Sequence, residues 1–505
     1  MRVHWKGAFF TNSSIAIVNR RLVSALLKRG NVEISLGTSQ IAPSDLPAEF
    51  RELAAVAENG IADADVTVVH DWPPRFAAPA NGRYVHFQPW EYGSIPVAWY
   101  DALHDDCDDV WTYSTNNRDA YVEGGLPEER VSVMPLGIDP AYFSPQGRAM
   151  QRDGSFRFLY VGGTITRKGI DVLIDAYARA FTRRDPVTLV VKDANASTFY
   201  KGQSLGENLR MFAQHPGMPR LEYVDATVSD TTMGELYRSA DCLVLPYRGE
   251  GFGLPVLEAM ACGLPVMASA GGATDDFVDE SVGWRIPSAR RNLDLDTPPF
   301  RTRTTPWLLE PNTDELARLM RYAYEHRDEV KSRGAAAAVR AHGAWTWEHA
   351  AERVESRFDE VVKREPVAAK ERARRFADAS LYAENLGGPG KLDGILLEVF
   401  ARLGSTRRQF SVIPDDARLS LARVLAQHWK WKGLAAHEIS SDLDFLAIET
   451  PDALGTVRPR VVGFRANGAT ALPGYACVAI DPSCGDRLFV RTDLAERAAF
   501  ATPNA

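Results

Sequence analysis

Short apolar runs alternate with amphipathic segments along most of the chain, and this alternation restricts the folds available to it. Three such runs lie at 65–69, 83–87 and 131–135. Strands that alternate with helices form a parallel sheet with helices on both faces. A second series starts with a strand predicted over 156–161, followed by a helix over 170–181 whose apolar residues share one face. The pattern predicts the α/β class, with two doubly wound domains in series.

The length and the turn-forming residues divide the chain further. At about 150 residues per domain, the 505 residues predict about three domains. Glycines and prolines cluster at 137–155 and indicate a boundary there, and the proline-rich interval 284–312 predicts a long surface excursion. We therefore predict a Rossmann-like domain over 1–150, a second one over 151–345, a closing helix and linker over 346–369, and a third, smaller domain over 370–505.

Composition excludes several classes of protein. Hydrophobic residues make up 45% and charged residues 25%, which is ordinary globular usage and argues against disorder, collagen and coiled coil. A formal net charge of −8 is unfavourable for nucleic-acid binding, which needs a basic stripe. The five cysteines include no CxxC pair, so neither a disulfide framework nor a zinc site is indicated. The first residues do not form a signal peptide and no apolar run is long enough to span a membrane, which predicts a soluble, cytoplasmic protein.

The most informative segment is 241–268. It predicts a strand, a glycine-rich turn, a helix with Pro255 near its first position and Gly263 as its stop, and another strand. Gly251 and Gly253 allow the backbone to approach a ligand closely, and the N–H groups at a helix start suit a diphosphate. The residues that we assign to this anion-binding turn are Gly251, Phe252, Gly253 and Leu254.

Two glutamates bracket that turn. Glu250 on the loop can accept hydrogen bonds from sugar hydroxyls, and Glu258, with seven residues between the two, lies one turn inside the helix. Without the glycines, such a pair would simply be two surface carboxylates. Together with them, residues 1–363 resemble the retaining, nucleotide-sugar-dependent glycosyltransferases of the GT-B fold (glycosyl transferases group 1, family 4-like). The resemblance implies that Glu250 contacts the donor sugar and Glu258 the ribose.

A second match to the same family lies at 158–171. A strand ends in two glycines, and Arg167 and Lys168 follow on a short turn. These cations can neutralise the donor diphosphate and stabilise the charge that develops on the leaving group. Alone, two adjacent basic residues would be surface charge. Family members place a phosphate-binding lysine at the position of Lys168 and often an arginine where this chain has Gly163, so we expect Arg167 to replace that arginine.

The resemblance also assigns the acceptor to the N-terminal domain. The first βα turn, 5–14, contains Gly7 and is expected to contact donor and acceptor. The alternative is that this segment is a surface loop with exposed aromatic side chains and no role in binding. Relatives often place a histidine or an acidic residue near 86–93 that contacts the transferred sugar. The residue that matches is His86, Gln88 or Glu91, and His86 could equally have a purely structural role. The strand end at 70–74 is a third candidate for the acceptor site, with less support from its sequence.

The resemblance implies a front-face mechanism without an enzyme nucleophile, in which the leaving phosphate takes the proton of the acceptor hydroxyl. No DxD-like metal motif lies near the turn, so we expect no metal and no cofactor beyond a UDP-sugar or GDP-sugar donor. The acceptor is a glycan, a small molecule or a protein. A catalytically silent sugar-nucleotide-binding scaffold and a bifunctional glycosyltransferase and methyltransferase are the alternatives.

The C-terminal part resembles a different family. Segments 391–410, 444–449 and 459–467 resemble S-adenosylmethionine-dependent methyltransferases of the FkbM kind. Such enzymes follow their first strand with a glycine-rich cofactor loop, whereas 411–416 contains no glycine. We therefore predict a degenerate Rossmann-like domain without cofactor, which serves self-association into a homo-oligomer, braces the other domains or recruits a large acceptor.

Overall fold

The computed structural model describes the first 367 residues almost completely and six strands beyond them. The residues that it leaves out of the first part are 12, 39, 41–47, 59–62, 77, 80, 195–203 and 295–300. The chain divides into two compact units. The first contains residues 1–71, 85–97 and 109–364, and the second contains 72–84, 98–108 and 365–505.

The first domain is built on a six-stranded sheet. Its elements are β1 Arg2–Gly7, α1 Ser14–Arg29, β2 Glu33–Gly37, α2 Arg51–Glu58, β3 Val66–His70, β4 Arg83–Phe87, α3 Val97–Asp101, β5 Asp109–Thr112, α4 Thr115–Glu123 and β6 Val131–Val133. The strand order is β2-β1-β3-β4-β5-β6, and β1 runs parallel to β2 and β3, as β5 does to β4 and β6. Val3 and Trp5 on β1 are fully buried. Helix α1 starts at the N-cap Ser13, whose side chain accepts from Ala16 N, and stops at the left-handed Gly30.

The second domain repeats this architecture. Its elements are β7 Phe156–Gly162, α5 Ile170–Ala180, β8 Val187–Asp193, α6 Gly206–Gln214, β9 Arg220–Val224, α7 Asp230–Arg238, β10 Cys242–Leu245, α8 Leu254–Ala261, β11 Val266–Ser269 and β12 Gly283–Ile286. The strand order is β12-β11-β10-β7-β8-β9, with parallel pairing throughout. Helix α5 buries Ile170, Leu173 and Tyr177, which confirms the predicted amphipathic helix. The two predicted Rossmann-like folds are present, and α9 Thr313–Glu325, α10 Arg327–Ala344 and α11 Trp347–Lys363 follow.

The two chain segments that pass between the sheets touch each other. Ile138 N donates to Trp345 O at 2.9 Å, and Trp347 N donates to Ile138 O at 3.2 Å. A Cβ on Gly137 would lie 2.2 Å from the carbonyl carbon of Thr346, so only glycine allows this approach. Helix α11 then returns to the first sheet, where it is anchored at Asp109.

That anchor is a buried carboxylate with two arginine partners. Asp109 on β5 is completely buried. Its Oδ1 accepts from Arg357 Nη2 at 2.6 Å and from Arg364 Nη1 at 3.1 Å, and its Oδ2 accepts from Arg357 Nε at 2.8 Å. The bidentate pair with Arg357 is the strong form of arginine–carboxylate contact. It fixes α11 to the first sheet.

The interval 284–312 contains a hairpin that the sequence did not indicate, although most of its described residues from 288 to 305 are exposed, as predicted. Strands β13 Ser288–Asn292 and β14 Trp307–Pro311 form an antiparallel hairpin on the second sheet's side, and Arg290 lies 4.0 Å over the ring of Trp307. Arg301, which precedes β14, contacts the first domain, where Val97 N donates to Arg301 O at 2.9 Å. The hairpin was not predicted because β13 is polar and exposed and carries no apolar periodicity. We call residues 288–292 and 301–311 the strap.

The third sheet lies in the C-terminal part of the chain. Its strands are β15 Gln409–Ile413, β16 Lys432–Gly433, β17 Phe445–Ile448, β18 Val461–Phe464, β19 Tyr475–Ile480 and β20 Arg487–Arg491. The strand order is β16-β15-β17-β18-β20-β19, in which β20 runs antiparallel to both of its neighbours. Residues 411–413, expected to begin a loop, belong to β15 instead, and 391–408 and 414–416 lie outside the described residues. Across the described part of the chain, no helix combines the length and apolar character needed to cross a membrane.

Candidate functional site

Two loops at the carboxyl edge of the second sheet are held against each other. They follow β7 and β10, which are neighbours in that sheet. Arg248 N and Gly249 N both donate to Arg167 O, at 2.8 and 3.2 Å. Gly169 closes the first loop with a φ of 72°, and a Cβ there would lie 1.8 Å from Pro246 O. The sequence positions that resemble family motifs therefore meet at one edge of the sheet.

Lys168 and Glu250 form an ion pair at the centre of this junction. Lys168 Nζ contacts Glu250 Oε2, and the two side chains are only 14% and 11% exposed. Burial works to raise the pKa of Glu250, but the charges of Lys168 and Arg167 outweigh it and hold that pKa below its usual value. Glu250 is thus a charged carboxylate in a largely water-excluded position. The site holds a cation and an anion in direct contact.

Arg167 contacts both domains. Its Nη1 donates to Gly249 O at 2.6 Å and lies 3.4 Å from Glu91 Oε1. Glu91 comes from the first domain, on the loop that follows β4, and 27% of its side chain is exposed. The structure therefore brings four of the predicted residues together: Arg167, Lys168, Glu250 and Glu91.

Arg248 organises the same junction and was not predicted. Its guanidinium donates to both carboxylate oxygens of Asp171 at 2.8 Å, to Glu310 Oε1 at 2.9 Å and to Thr166 O at 2.7 Å. Only 9% of its side chain is exposed. An arginine inside the glycine-rich segment was the available signal, but its partners lie 77 and 62 residues away in the sequence. The arginine holds the Arg167–Lys168 turn in place.

The glycine-rich turn lies against the first domain. Ser114 Oγ donates to Gly251 O at 2.9 Å. A Cβ on Gly251 would lie 3.2 Å from Pro89 Cβ, and a Cβ on Gly253, which has a φ of 93°, would lie 2.7 Å from Thr274 Cγ2. A side chain at position 251 would make a tight contact, and position 253, with its left-handed φ and closer neighbour, favours glycine. The predicted use of this space by a ligand stays a prediction.

Phe252 and Leu254, the other members of the turn, differ in exposure. Phe252 is 2% exposed and its ring centroid lies 5.1 Å from that of Phe277 and 6.1 Å from that of Trp345. Its side chain therefore packs in an aromatic cluster, and only its backbone is suited to a ligand. Leu254 begins α8 and is partly exposed.

Glu258 lies one turn further along α8. Tyr237 Oη donates to Glu258 Oε2 at 2.7 Å. Burial raises the pKa of Glu258 to about 8, while the Tyr237 hydrogen bond opposes the rise. At neutral pH this side chain is a neutral acid, which can donate one hydrogen bond and also accept. That chemistry suits a pair of neighbouring hydroxyls.

Gly7 and His70 form a packed edge of the first sheet. A Cβ on Gly7 would lie 2.0 Å from His70 O. His70 is completely buried, with Nδ1 2.6 Å from Asn19 Oδ1 and Nε2 2.6 Å from Tyr113 Oη, and burial lowers its pKa to about 3. The third acceptor candidate, 70–74, is divided between the two compact units after Asp71. His70 serves the packing of the first sheet.

The other predicted residues have different surroundings. His86 and Gln88 are completely buried, and burial lowers the pKa of His86 to about 3 although the Gln88 side chain opposes this. Of the three acceptor alternatives, Glu91 contacts the second domain. Gly163 O accepts from Tyr160 Oη at 2.7 Å. Within the described residues, no three His, Cys, Asp or Glu side chains are grouped so that they could hold a metal ion.

The sequence comparison with known families concerns the second domain. Residues 148–292 match the family model Glycosyl transferases group 1. Among curated proteins, D-inositol 3-phosphate glycosyltransferase of Arthrobacter sp. (strain FB24) is 32% identical over 165 residues, 31% of this chain and 38% of that protein. MMP alpha-(1->4)-mannosyltransferase of Mycolicibacterium hassiacum is 29% identical over 166 residues, 33% of this chain and 37% of that protein. The matched segments thus span less than two fifths of these relatives.

Solved structures are similar over a larger part of the chain. Sucrose-phosphate synthase (tll1590) from Thermosynechococcus elongatus superposes with a TM-score of 0.52 at 17% identity, covering 72% of this chain and 99% of that one. Anabaena Alr3699/HepE in complex with UDP-glucose gives a TM-score of 0.50 at 14% identity, covering 71% of this chain and 100% of that one. At such identities the likeness concerns the fold, which is GT-B as predicted.

Proposed function

We propose that the protein is a retaining glycosyltransferase that moves a sugar from a nucleotide diphosphate sugar to an acceptor hydroxyl. The observation that carries the proposal is the contact of Lys168 with Glu250 beside Arg167, at the edge of the second sheet where the chain matches Glycosyl transferases group 1. In this proposal the two cations hold the diphosphate and stabilise its charge as it leaves.

The acidic residues take complementary roles in the proposal. Glu250, a charged carboxylate, accepts hydrogen bonds from the donor sugar, and Glu258 binds the ribose hydroxyls. The Gly251–Leu254 backbone at the start of α8 faces the diphosphate. With no side-chain nucleophile assigned, we propose that the leaving phosphate takes the acceptor proton, so the protein contributes positioning and charge stabilisation.

The donor and acceptor are chosen for testing from the names of similar proteins. HepE was solved with UDP-glucose, and one relative is named a mannosyltransferase, so UDP-glucose and GDP-mannose are the first donors to test. D-inositol 3-phosphate is the first acceptor to test because a relative is named for it. We propose that no metal is required, and adding EDTA to the reaction tests this directly.

The decisive experiment measures nucleoside diphosphate release by the full-length protein with each donor, with and without acceptor. Lys168→Ala and Glu250→Gln are expected to lower turnover by about 10²-fold or more. Lys331→Ala is a matched control, because this lysine is 80% exposed on α10 and pairs only at 4.0 Å with Asp328. Wild-type turnover in either site variant contradicts the site.

Two further readouts test the finer parts of the proposal. Proton NMR of the glycoside product reports whether the anomeric configuration of the donor is kept, and an inverted product contradicts retention. Saturable donor binding without hydrolysis or transfer would favour the alternative, a catalytically silent scaffold.

A further inference from the structure

The cationic turn of the second domain is neutralised by carboxylates. Lys168 contacts Glu250, which belongs to the same domain, whereas Arg167 lies 3.4 Å from Glu91 of the first domain. Two positive and two negative side chains therefore stand together. An incoming diphosphate would add negative charge beside Glu91, which raises the energy of the bound state unless that carboxylate moves away.

The segment that carries Glu91 is seated on the second domain along its backbone. A Cβ on Gly249 would lie 2.6 Å from Glu91 O, and Trp307 N donates to Tyr92 O at 3.1 Å. Gly93 has a φ of 70°, and a Cβ there would lie 2.3 Å from the Trp307 ring. The strap and the Gly249 loop thus keep residues 91–93 beside Arg167, so the position of the Glu91 carboxylate follows from the fold.

We propose that Glu91 is the counter-ion of Arg167 before a donor binds and that the donor diphosphate displaces it. This inference rests on the proposed function, in which Arg167 binds the diphosphate. The exchange breaks one ion pair and forms another, and it transfers no proton or covalent bond. After the exchange the Glu91 carboxylate no longer contacts Arg167. Glu91 lies on the first domain, to which the resemblance assigns the acceptor. Glu91 can therefore contact an acceptor only after the donor has bound.

The chain offers a matched control for this charge. Glu123 on α4 of the first domain lies 3.7 Å from Arg290 of the strap, and both side chains are about half exposed, at 56% and 52%. Glu123→Gln removes the same charge from another ion pair between the domains, at a pair that is not part of the Arg167 junction. It is expected to leave nucleotide affinity unchanged.

The test is titration calorimetry of UDP, and separately of GDP, into the full-length wild type, Glu91→Gln, Arg167→Gln, the double variant and Glu123→Gln. Loss of the Glu91 charge is expected to tighten nucleotide binding roughly threefold to tenfold, because the diphosphate no longer has to break the ion pair between Glu91 and Arg167. Arg167→Gln is expected to weaken it about tenfold or more, and the gain from Glu91→Gln should disappear in that background.

The outcomes separate the two proposals. Binding that is unchanged or weaker in Glu91→Gln overturns the inference, as does a gain that persists without Arg167. If the wild type binds neither UDP nor GDP, the proposed function fails and the inference fails with it. Glu91→Ala is measured alongside, and thermal unfolding of each variant establishes that the fold is retained.

Discussion

The hydroxyl of Tyr237 donates a 2.7 Å hydrogen bond to Glu258, whose pKa is raised to about 8 by burial, from a value of 4.5 in an exposed chain. Between those two pH values the folded protein holds a proton that the unfolded chain has lost. The free energy of unfolding therefore decreases as pH rises through that window and levels off above it.

Glu258→Gln removes this titration while keeping an acceptor for Tyr237. We expect the variant to gain stability over the wild type as pH rises from about 5 to about 8, by on the order of 2–4 kcal/mol, with little further gain above. Thermal unfolding across this pH range measures the difference. Glu207→Gln, on an exposed position of α6, is the control, and parallel curves for wild type and Glu258→Gln would contradict the assignment.

Arg248 is expected to stabilise the junction of the two motif loops. Arg248→Ala leaves Asp171 and Glu310 without their shared cation, and we expect a loss of about 1–3 kcal/mol in the free energy of unfolding, together with slower donor turnover. Urea denaturation measures the first effect. Because lysine lacks the planar fork of arginine, Arg248→Lys should recover only part of the loss, and full recovery would show that the fork is unimportant.

Asp109→Asn tests the anchor of α11. The variant keeps the size of the side chain but removes the charge that pairs with Arg357 and Arg364, and we expect a loss of about 3 kcal/mol or more. Glu360→Gln is the matched control, since Glu360 is another carboxylate that pairs with Arg357 and is 57% exposed, so its loss should be below about 1 kcal/mol. Urea unfolding distinguishes them, and equal effects would contradict a special role for the buried carboxylate.

Substitutions at Gly154 and Gly169, which both have a left-handed φ, distinguish the cost of backbone strain from the cost of steric crowding. Gly154 has a φ of 84°, and a Cβ there would have no neighbouring atom within 4 Å, whereas a Cβ on Gly169 would meet Pro246 O at 1.8 Å. Gly154→Ala should cost about 1–2 kcal/mol from φ alone, and Gly169→Ala should cost more and displace Lys168. Chemical denaturation and donor turnover of both variants check this, and similar behaviour of the two would contradict it.

The third domain is expected to bind no cofactor, because no glycine lies between the end of β15 and Gly433. Titration calorimetry of S-adenosylmethionine into the full-length protein should therefore show no saturable heat. Saturable binding would support the bifunctional alternative.

The meeting of the two motif loops was predictable from local sequence, whereas the interdomain contacts of the candidate site were not. Lys168 and Glu250 each follow a strand within a recognisable motif, and because β7 and β10 are neighbours the two motifs share an edge. The partners of Arg248 and Arg167 depend on how the loops and domains pack, and no periodicity indicates Glu91 or Glu310 as a partner.

The three candidates for the acceptor-contacting residue also show that sequence alone does not determine which of several neighbouring residues is exposed. His86, Gln88 and Glu91 lie within six residues of each other, yet the first two are completely buried and Glu91 is partly exposed. A strand buried on both faces hides its last residues regardless of their polarity. Sequence alone could place the end of the strand but not the residue at which the chain leaves the core.

The pairing of Asp109 with Arg357 and Arg364 bears on how the first two domains can be produced alone. A recombinant fragment that ended before Arg357 would retain a completely buried carboxylate and lose both of its arginine partners. Truncation for crystallisation or assay should therefore preserve every residue up to Arg364.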